Sequence, residues 1–456
     1  MHGDFSLNPL AYRDNVSRVL YQQGRVQLDS DVNELTETLL RATRALAVDT
    51  IGPHGGVDNS FQITGNGTDF EIAFGHYWID GLRCVNPTDF WDTLAAHQGT
   101  PPLPATRPLE PPYFYPPPKN KDGKLEPGLF YLDAFEHDIS SVQDDTLRES
   151  ALLGADTTSR AVVMWIVRKF DVKQTEEWLT LAGKFKGKLP RIYDEFYVAL
   201  NVLLRPGARL RARATIAETT DPCVVSPDAR YRGTENRLFR VEVHTSGNPD
   251  EATFKFSRDN GAEVYPIGDL QGKSVVLDSL GRDHRSALRV NDWVEVIDDD
   301  VLLQHKALPL RQVMTVDRHT RTITLDEEPE QSAGTKQELR PFLRRWEGPP
   351  QPIRMRDDAH PKQHWIDLAD GVQVQFSKAP GFVKVFRTGD YWLIPTRTAT
   401  GDVIWPRDTT QARNPLPVPP HGVHHRYAPL DQFVGATGGL TPFRKRFVPL
   451  TMHPVP

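Results

Sequence analysis

From Val32 onward, apolar residues recur at Leu35, Leu39, Ala42 and Leu46. Steps of three, four, three and four place them as the a and d positions of a heptad seam on one helix face. Asp29-Ser30-Asp31 stands just before it as N-cap chemistry, and Asp31 with Glu34 three residues later resembles a capping box. Thr36, Glu37, Arg41 and Arg44 fall off the seam. The spacing predicts an amphipathic helix over 31–49. Residues 12–23 are moderately apolar and stop at Gly24, which predicts another helix before it. The seam is under three heptads long, too short to be stable alone. It must be buried either against its own domain or in a bundle of equivalent helices around a symmetry axis.

After Ile51-Gly52-Pro53 the period changes from helical to two. Phe61-Gln62-Ile63 is followed by the turn signal Gly65-Asn66-Gly67, and Phe70 to Ile79 reads as two short strands around Gly75, closed by a hairpin turn at Asp80-Gly81. Strands are also predicted over 129–135 and 161–170, with a helix-compatible stretch at 144–153 and a short helix near 178–181. Residues 197–204 form a further apolar run, and 208–216 alternate basic and small residues. From Gly233 to Pro329 the pattern is all strand: 238–244, 253–257 with a turn at Asp259-Asn260-Gly261, 292–297 with a turn at Asp298-Asp299-Asp300, and a hairpin of 312–316 with 322–325. Strands at this spacing predict a sandwich or small barrel. Residues 365–386 and 391–405 predict one more small β unit.

The fold class expected is therefore mainly β with an N-terminal α-helical segment, in several small sandwich or barrel units. A chain of 456 residues is long for one core. We expect a helical segment at 1–50, a first β-rich domain at 51–230, an all-β unit at 231–330 and a C-terminal β unit at 331–456. Of the 38 prolines, many cluster in a 99–128 insertion and between Pro415 and Pro429. Proline fixes φ and removes a donor, so both stretches should be extended rather than helix interiors or central strands. Each is either a solvated linker or an arm laid on a neighbouring subunit.

A formal net charge of -6 on this length argues for neither nucleic acid nor an acidic membrane surface as partner. No apolar run is long enough for a membrane helix. Met1-His2-Gly3-Asp4-Phe5 lacks the character of a signal peptide, so synthesis in the cytoplasm is expected. Cys84 and Cys223 are the only cysteines. One disulfide between them is arithmetically possible, but neither a disulfide framework nor a CxxC knuckle exists.

Tyr21-Gln22-Gln23-Gly24-Arg25-Val26-Gln27-Leu28-Asp29-Ser30-Asp31-Val32-Asn33-Glu34 resembles the opening of an uncharacterised bacterial domain family associated with phage-tail-like contractile injection systems. It is also similar to an N-terminal motif of phage baseplate and tail-fibre attachment proteins. Tyr77-Trp78-Ile79-Asp80-Gly81, Tyr231-Arg232-Gly233-Thr234-Glu235-Asn236, Phe254 to Gly261 and Asp390 to Pro395 resemble further blocks of the same family, so the likeness spans nearly the whole chain. One departure is Val32, where the resemblance implies tryptophan. The resemblance implies a structural particle component with other baseplate or fibre proteins as partners, threefold symmetry by analogy, and no defined chemistry.

Catalytic constellations are sparse. His421, His424 and His425 beside Tyr427 are the one cluster with metal-ligand spacing, but Pro419-Pro420 and Pro429 flank it and no glutamate stands among the three as a base. Hydrogen-bonded histidines are the plainer reading, with no metal and no cofactor. Asp298-Asp299-Asp300 lacks the glycine and closing glutamate of a calcium loop. A polysaccharide hydrolase would need two positioned carboxylates, and no pair stands out among 60 acidic residues. Trp346, three residues before Pro349, and Trp405, beside Pro406, are the candidates for sugar stacking if exposed, and core residues if not. We therefore expect a non-enzymatic baseplate or fibre-attachment component acting as a homotrimer through Val32, Leu35, Leu39, Ala42 and Leu46. The alternative is a carbohydrate- or receptor-binding fibre module, with a surface-polymer hydrolase ranked behind it.

Overall fold

The computed structural model describes residues 1–7, 16–65, 67–87, 106–121, 123–215, 230–249, 251–281, 283, 286–330, 333–355, 365–380, 386–408, 410, 414–435 and 439–448. The start of the helix expected at 12–23, the first part of the proline-rich insertion, and Cys223 lie outside them. The chain is mainly β, with four α-helices among the described residues: α1 (Asp29–Ile51), α2 (Val172–Phe185), α3 (Glu195–Leu204) and α4 (Asp299–Gln304). α1 runs two residues further at each end than the seam predicts. Residues 16–28 form no helix, so that part of the 12–23 expectation is corrected.

Contacts divide the chain into two units, neither of them continuous in sequence. One comprises Met1–Glu37, Asp138–Ala161 and Pro206–Val423; the other comprises Thr38–His137, Val162–Arg205 and His424–Pro456. The consecutive segments expected from the sequence are thus cut differently, because strands far apart in the chain share sheets.

In the first unit the strands of a barrel are inserted in sequence between the earlier and later strands of a β-sandwich. One sandwich layer contains Leu238–Val243, paired on one side with Thr253–Ser257 and on the other with Tyr391–Arg397. The other layer pairs Ala208–Ala214 with Val372–Lys378. Phe239, Val241, Phe254, Phe376, Trp392 and the small Ala208 and Ala212 fill the space between. The barrel is closed by six strands: Val264–Gln271, Ser274–Leu277, Thr322–Leu325, Arg311–Asp317, Trp293–Ile297 and Phe342–Trp346. Its last strand lies past the boundary expected at 330. Asp298 does not sit in a plain turn. Its side chain accepts the Val301 N–H at 2.9 Å as the N-cap of α4, and its other oxygen accepts from Gly334 N–H at 3.0 Å.

The second unit has a sheet ordered Arg160–Lys169, Gly128–Ile139, Arg426–Phe433, Leu440–Pro442, and another in which His54–Val57 pairs with Gly75–Ile79 and that strand with Leu82–Asn86. The hairpin turn at Asp80-Gly81 is as expected, with φ of 48° and 72° at the two central residues, the signature of a type I′ turn. Phe61, Tyr77, Phe130, Leu132, Trp165 and Leu430 make its core. The apolar run at 197–204 is helical and packs with α2 through Trp178, Ala199 and Leu200.

The second proline cluster corrects two expectations. Residues 414–420 are extended but lie on their own sandwich: Leu210 and Val418 exchange two backbone hydrogen bonds, at 3.0 and 2.9 Å. Pro429, at the end of the cluster, sits in a central strand. The register shifts between Pro429 and Gln432, and that bulge absorbs the missing donor.

Candidate functional site

α1 is built inside out for a helix of a single chain. Every charged residue between Asp31 and Arg44 is only partly exposed, and the buried positions are Thr38 and Ala47. Arg44 donates to Glu136 at 2.6 Å. Gly81 lies so close that a Cβ there would come within 2.6 Å of the Arg44 Cα. The exposed residues from Val32 to Leu46 are instead Val32, Thr36, Leu39, Leu40, Ala42, Thr43, Ala45 and Leu46, none of them charged. Leu39 is 58% exposed and Leu46 64%. Four of the five seam residues thus face solvent, and Leu35 is half-buried.

The threonines extend this face. Thr36, Thr43 and Thr50 each turn their hydroxyl back to the carbonyl four residues earlier, at 3.1, 3.0 and 2.7 Å. Their hydroxyls are thereby satisfied and their methyls flank the seam. Before the helix, Leu20, Tyr21, Val26 and Leu28 are also exposed, Val26 at 85%.

A second constellation lies buried in the first unit. Phe239, Val241 and Val243 enter the sandwich core, while Arg240 and Glu242 on the opposite face of that strand are buried too. Arg240 Nε donates to Glu242 Oε2 at 2.6 Å. Lys255 Nζ reaches Glu242 Oε1 at 3.3 Å and both oxygens of Glu295. Trp346 Nε1 donates to Glu295 at 2.9 Å. Burial raises the Glu242 carboxyl, but Arg240 and Lys255 outweigh it and hold the group well below the carboxylate range.

His2 enters the same layer. Its Nε2 accepts from Arg344 Nη1 at 3.1 Å, which leaves Nδ1 as the donor toward Asp138 Oδ1 at 3.3 Å. Burial, with Arg240 and Arg344 nearby, pushes the imidazole down to about 4 and so keeps it neutral. The Met1 amine donates to the Tyr391 hydroxyl, Arg240 to the Met1 carbonyl at 3.1 Å, and Asn260 to the Gly3 carbonyl at 2.9 Å. Strand alternation makes Arg240 and Glu242 solvent-facing on paper. The N-terminal residues and the barrel side chains Glu295 and Arg344, unseen in a linear pattern, cover that face and bury them.

The histidines of the C-terminal stretch have separate duties, and His424 offers its backbone carbonyl to Arg426 Nη1 at 3.4 Å. His421 Nδ1 accepts the Leu393 N–H at 3.0 Å. His425 meets Asp133 at 2.6 Å, and Asp133 also accepts from Arg168 at 2.7 Å. The His425 ring stacks on Tyr427 at 5.8 Å. Among the described residues no group of three or more His, Cys, Asp or Glu is placed to hold a metal ion. Trp346 and Trp405 are both buried, at 2% and 6% exposure, and Trp405 Nε1 donates to the Leu416 carbonyl at 2.9 Å. Neither ring is a solvent-facing platform. Cys84 is buried, and burial pushes its thiol up to about 12. No helix among the described residues is long and apolar enough to cross a membrane.

These features define a mainly β protein of several sheets, with one helix whose apolar face is bare. The chain belongs to a family of unknown function, DUF6519, which matches residues 1–183 and 204–452. No curated protein and no solved structure matches it.

Proposed function

We propose that the protein is a non-enzymatic structural component of a phage-tail-like contractile particle, a baseplate or fibre-attachment part that assembles as a homotrimer through α1. The observation that carries this reading is the bare seam of Val32, Leu39, Ala42 and Leu46. Apolar surface in this spacing is removed from water most completely by an equivalent helix. A second copy is the fitting occupant because the face holds no charge, so symmetric copies bring no like charges together. Val32, Leu39 and Leu46, each about half exposed, would contribute on the order of 1 kcal/mol apiece when buried, and Ala42 less. The particle and the number of copies rest on the resemblance of residues 21–34 to baseplate and fibre-attachment openings.

Native mass measurement of the whole chain, with Leu39→Asp beside it, tests the assembly. A trimer that dissociates in Leu39→Asp while circular dichroism is unchanged supports it. A wild-type chain that stays monomeric at micromolar concentration, and also when mixed with its neighbouring particle proteins, overturns it.

A further inference from the structure

The first unit carries a half-open cavity of about 920 Å³, a size that suits a small ligand. Its walls are polar: eight carboxylates and five guanidinium groups line it. The excess of carboxylates disfavours an anionic ligand, and the scarcity of apolar wall disfavours a greasy one. Much of the charge is already matched inside the wall. Arg237 gives one nitrogen to both oxygens of Asp259, at 2.8 and 3.0 Å, and Arg258 Nε donates to Glu347 at 2.9 Å. A guanidinium has five N–H donors and a carboxylate about four acceptor sites, so these bonds exhaust neither pair, even with Arg258 Nη1 also reaching Asp370 at 3.4 Å.

A donor-only group beside an acceptor-only group is the arrangement that a hydroxyl satisfies twice, since it both donates and accepts. Two such pairs in one wall suit a ligand with hydroxyls on adjacent carbons. The half-buried Trp293 adds an aromatic face, against which the C–H side of a sugar ring would lose water. Trp293 is also the register partner of Trp346, whose ring is fixed by Glu295, so the aromatic wall stands on a firm strand pair.

We propose that this cavity binds a neutral oligosaccharide. The site is independent of the α1 seam and does not require the protein to be in a particle. It also relocates sugar stacking from Trp405, which is buried in the sandwich core, to Trp293 on the barrel.

The test is a binding screen of the full chain against immobilised short oligosaccharides of glucose, galactose, mannose and N-acetylglucosamine, with sulfated and sialylated sugars and tetralysine as comparators. The expected result is saturable binding to a neutral member, weakened about tenfold or more by Trp293→Ala and by Arg289→Ala. Arg289 lines the cavity but is exposed, so its truncation leaves the fold intact. Three outcomes overturn the proposal: no neutral sugar bound at millimolar concentration, binding unchanged in both variants, or retention of the anionic sugars or tetralysine in place of neutral ones.

Discussion

Lys255 holds both carboxylate oxygens of Glu295, at 2.7 and 2.6 Å, with neither side chain more than 5% exposed. Removing one partner of such a pair strands the other charge out of water, which costs about 3–5 kcal/mol, while replacing both by apolar groups is often neutral. Lys255→Met and Glu295→Gln are each expected to lower stability by that amount in denaturant unfolding. The double variant Lys255→Met/Glu295→Met is expected to recover more than half of the loss. Single variants within about 0.5 kcal/mol of the parent would show that the layer is wet and weak.

The two faces of α1 should respond in opposite ways. Leu39→Ser changes an exposed residue, and the monomer should keep its stability within about 0.5 kcal/mol. Ala47→Leu overfills a buried position and should cost about 1–3 kcal/mol. Thermal unfolding at low protein concentration measures both; the reverse ranking would mean that the seam is already covered within one chain.

Gly81 has φ of 72° and stands against the backbone of Arg44, whose carbonyl oxygen would lie 2.4 Å from an added Cβ. Gly81→Ala combines backbone strain with a clash against a helix that cannot yield easily. A loss of more than about 2 kcal/mol is expected, seen as a lower unfolding midpoint. Asp80→Asn, which suits the same turn, should be nearly silent.

Asp431 is buried, and burial pushes its carboxyl up to about 6 against the pull of the Ile63 N–H and Arg444. A carboxyl raised above its ordinary 3.8 contributes stability fully below that value and loses it as pH rises through 6. His2 and His244, both pushed down to about 4 chiefly by burial, work in the opposite sense, losing their contribution as pH falls from 6.5 to 4. The parent therefore shows a muted profile. Asp390 is likewise raised to about 6 by burial, so Asp431→Asn removes one of two raised carboxyls and should gain on the parent as pH rises from 4 to 6, by roughly 3 kcal/mol. Unfolding midpoints across that range test it; a difference that stays flat with pH would show Asp431 ionised throughout.

Local chemistry was readable from the residues, and tertiary partnership was not. Asp29 to Asp31 and the heptad spacing placed α1 within two residues at each end. Asp80-Gly81 announced its hairpin, because a type I′ turn needs residues that tolerate positive φ. Asn260 and Gly261 also adopt positive φ, yet the strands flanking them, Thr253–Ser257 and Val264–Gln271, pair with other strands instead of each other. Phe342–Trp346 escaped notice as a strand because Arg344 and Arg345 look solvated until Glu295 and His2 are found near them. The seam was legible as a candidate interface, but its exposure depends on the charged side of α1 packing inward, against the usual rule. The cavity has no linear signature at all, since its walls come from seven separated stretches of chain.

The strand Arg426–Phe433 carries a consequence for time. It pairs with Gly128–Ile139 and places Ala428 and Leu430 in the core of the second unit. About 290 residues separate the two strands, so a ribosome adding 5–20 residues per second needs roughly fifteen seconds to a minute between them. Throughout that interval Gly128–Ile139 has been made and its apolar neighbour has not. The strands of the first unit's barrel are all synthesised within the gap. The second unit, whose strands Gly128–Ile139 and Arg426–Phe433 bracket the barrel in sequence, is thus the one that closes last, and its half-made sheet edge waits unpaired until Arg426–Phe433 emerges.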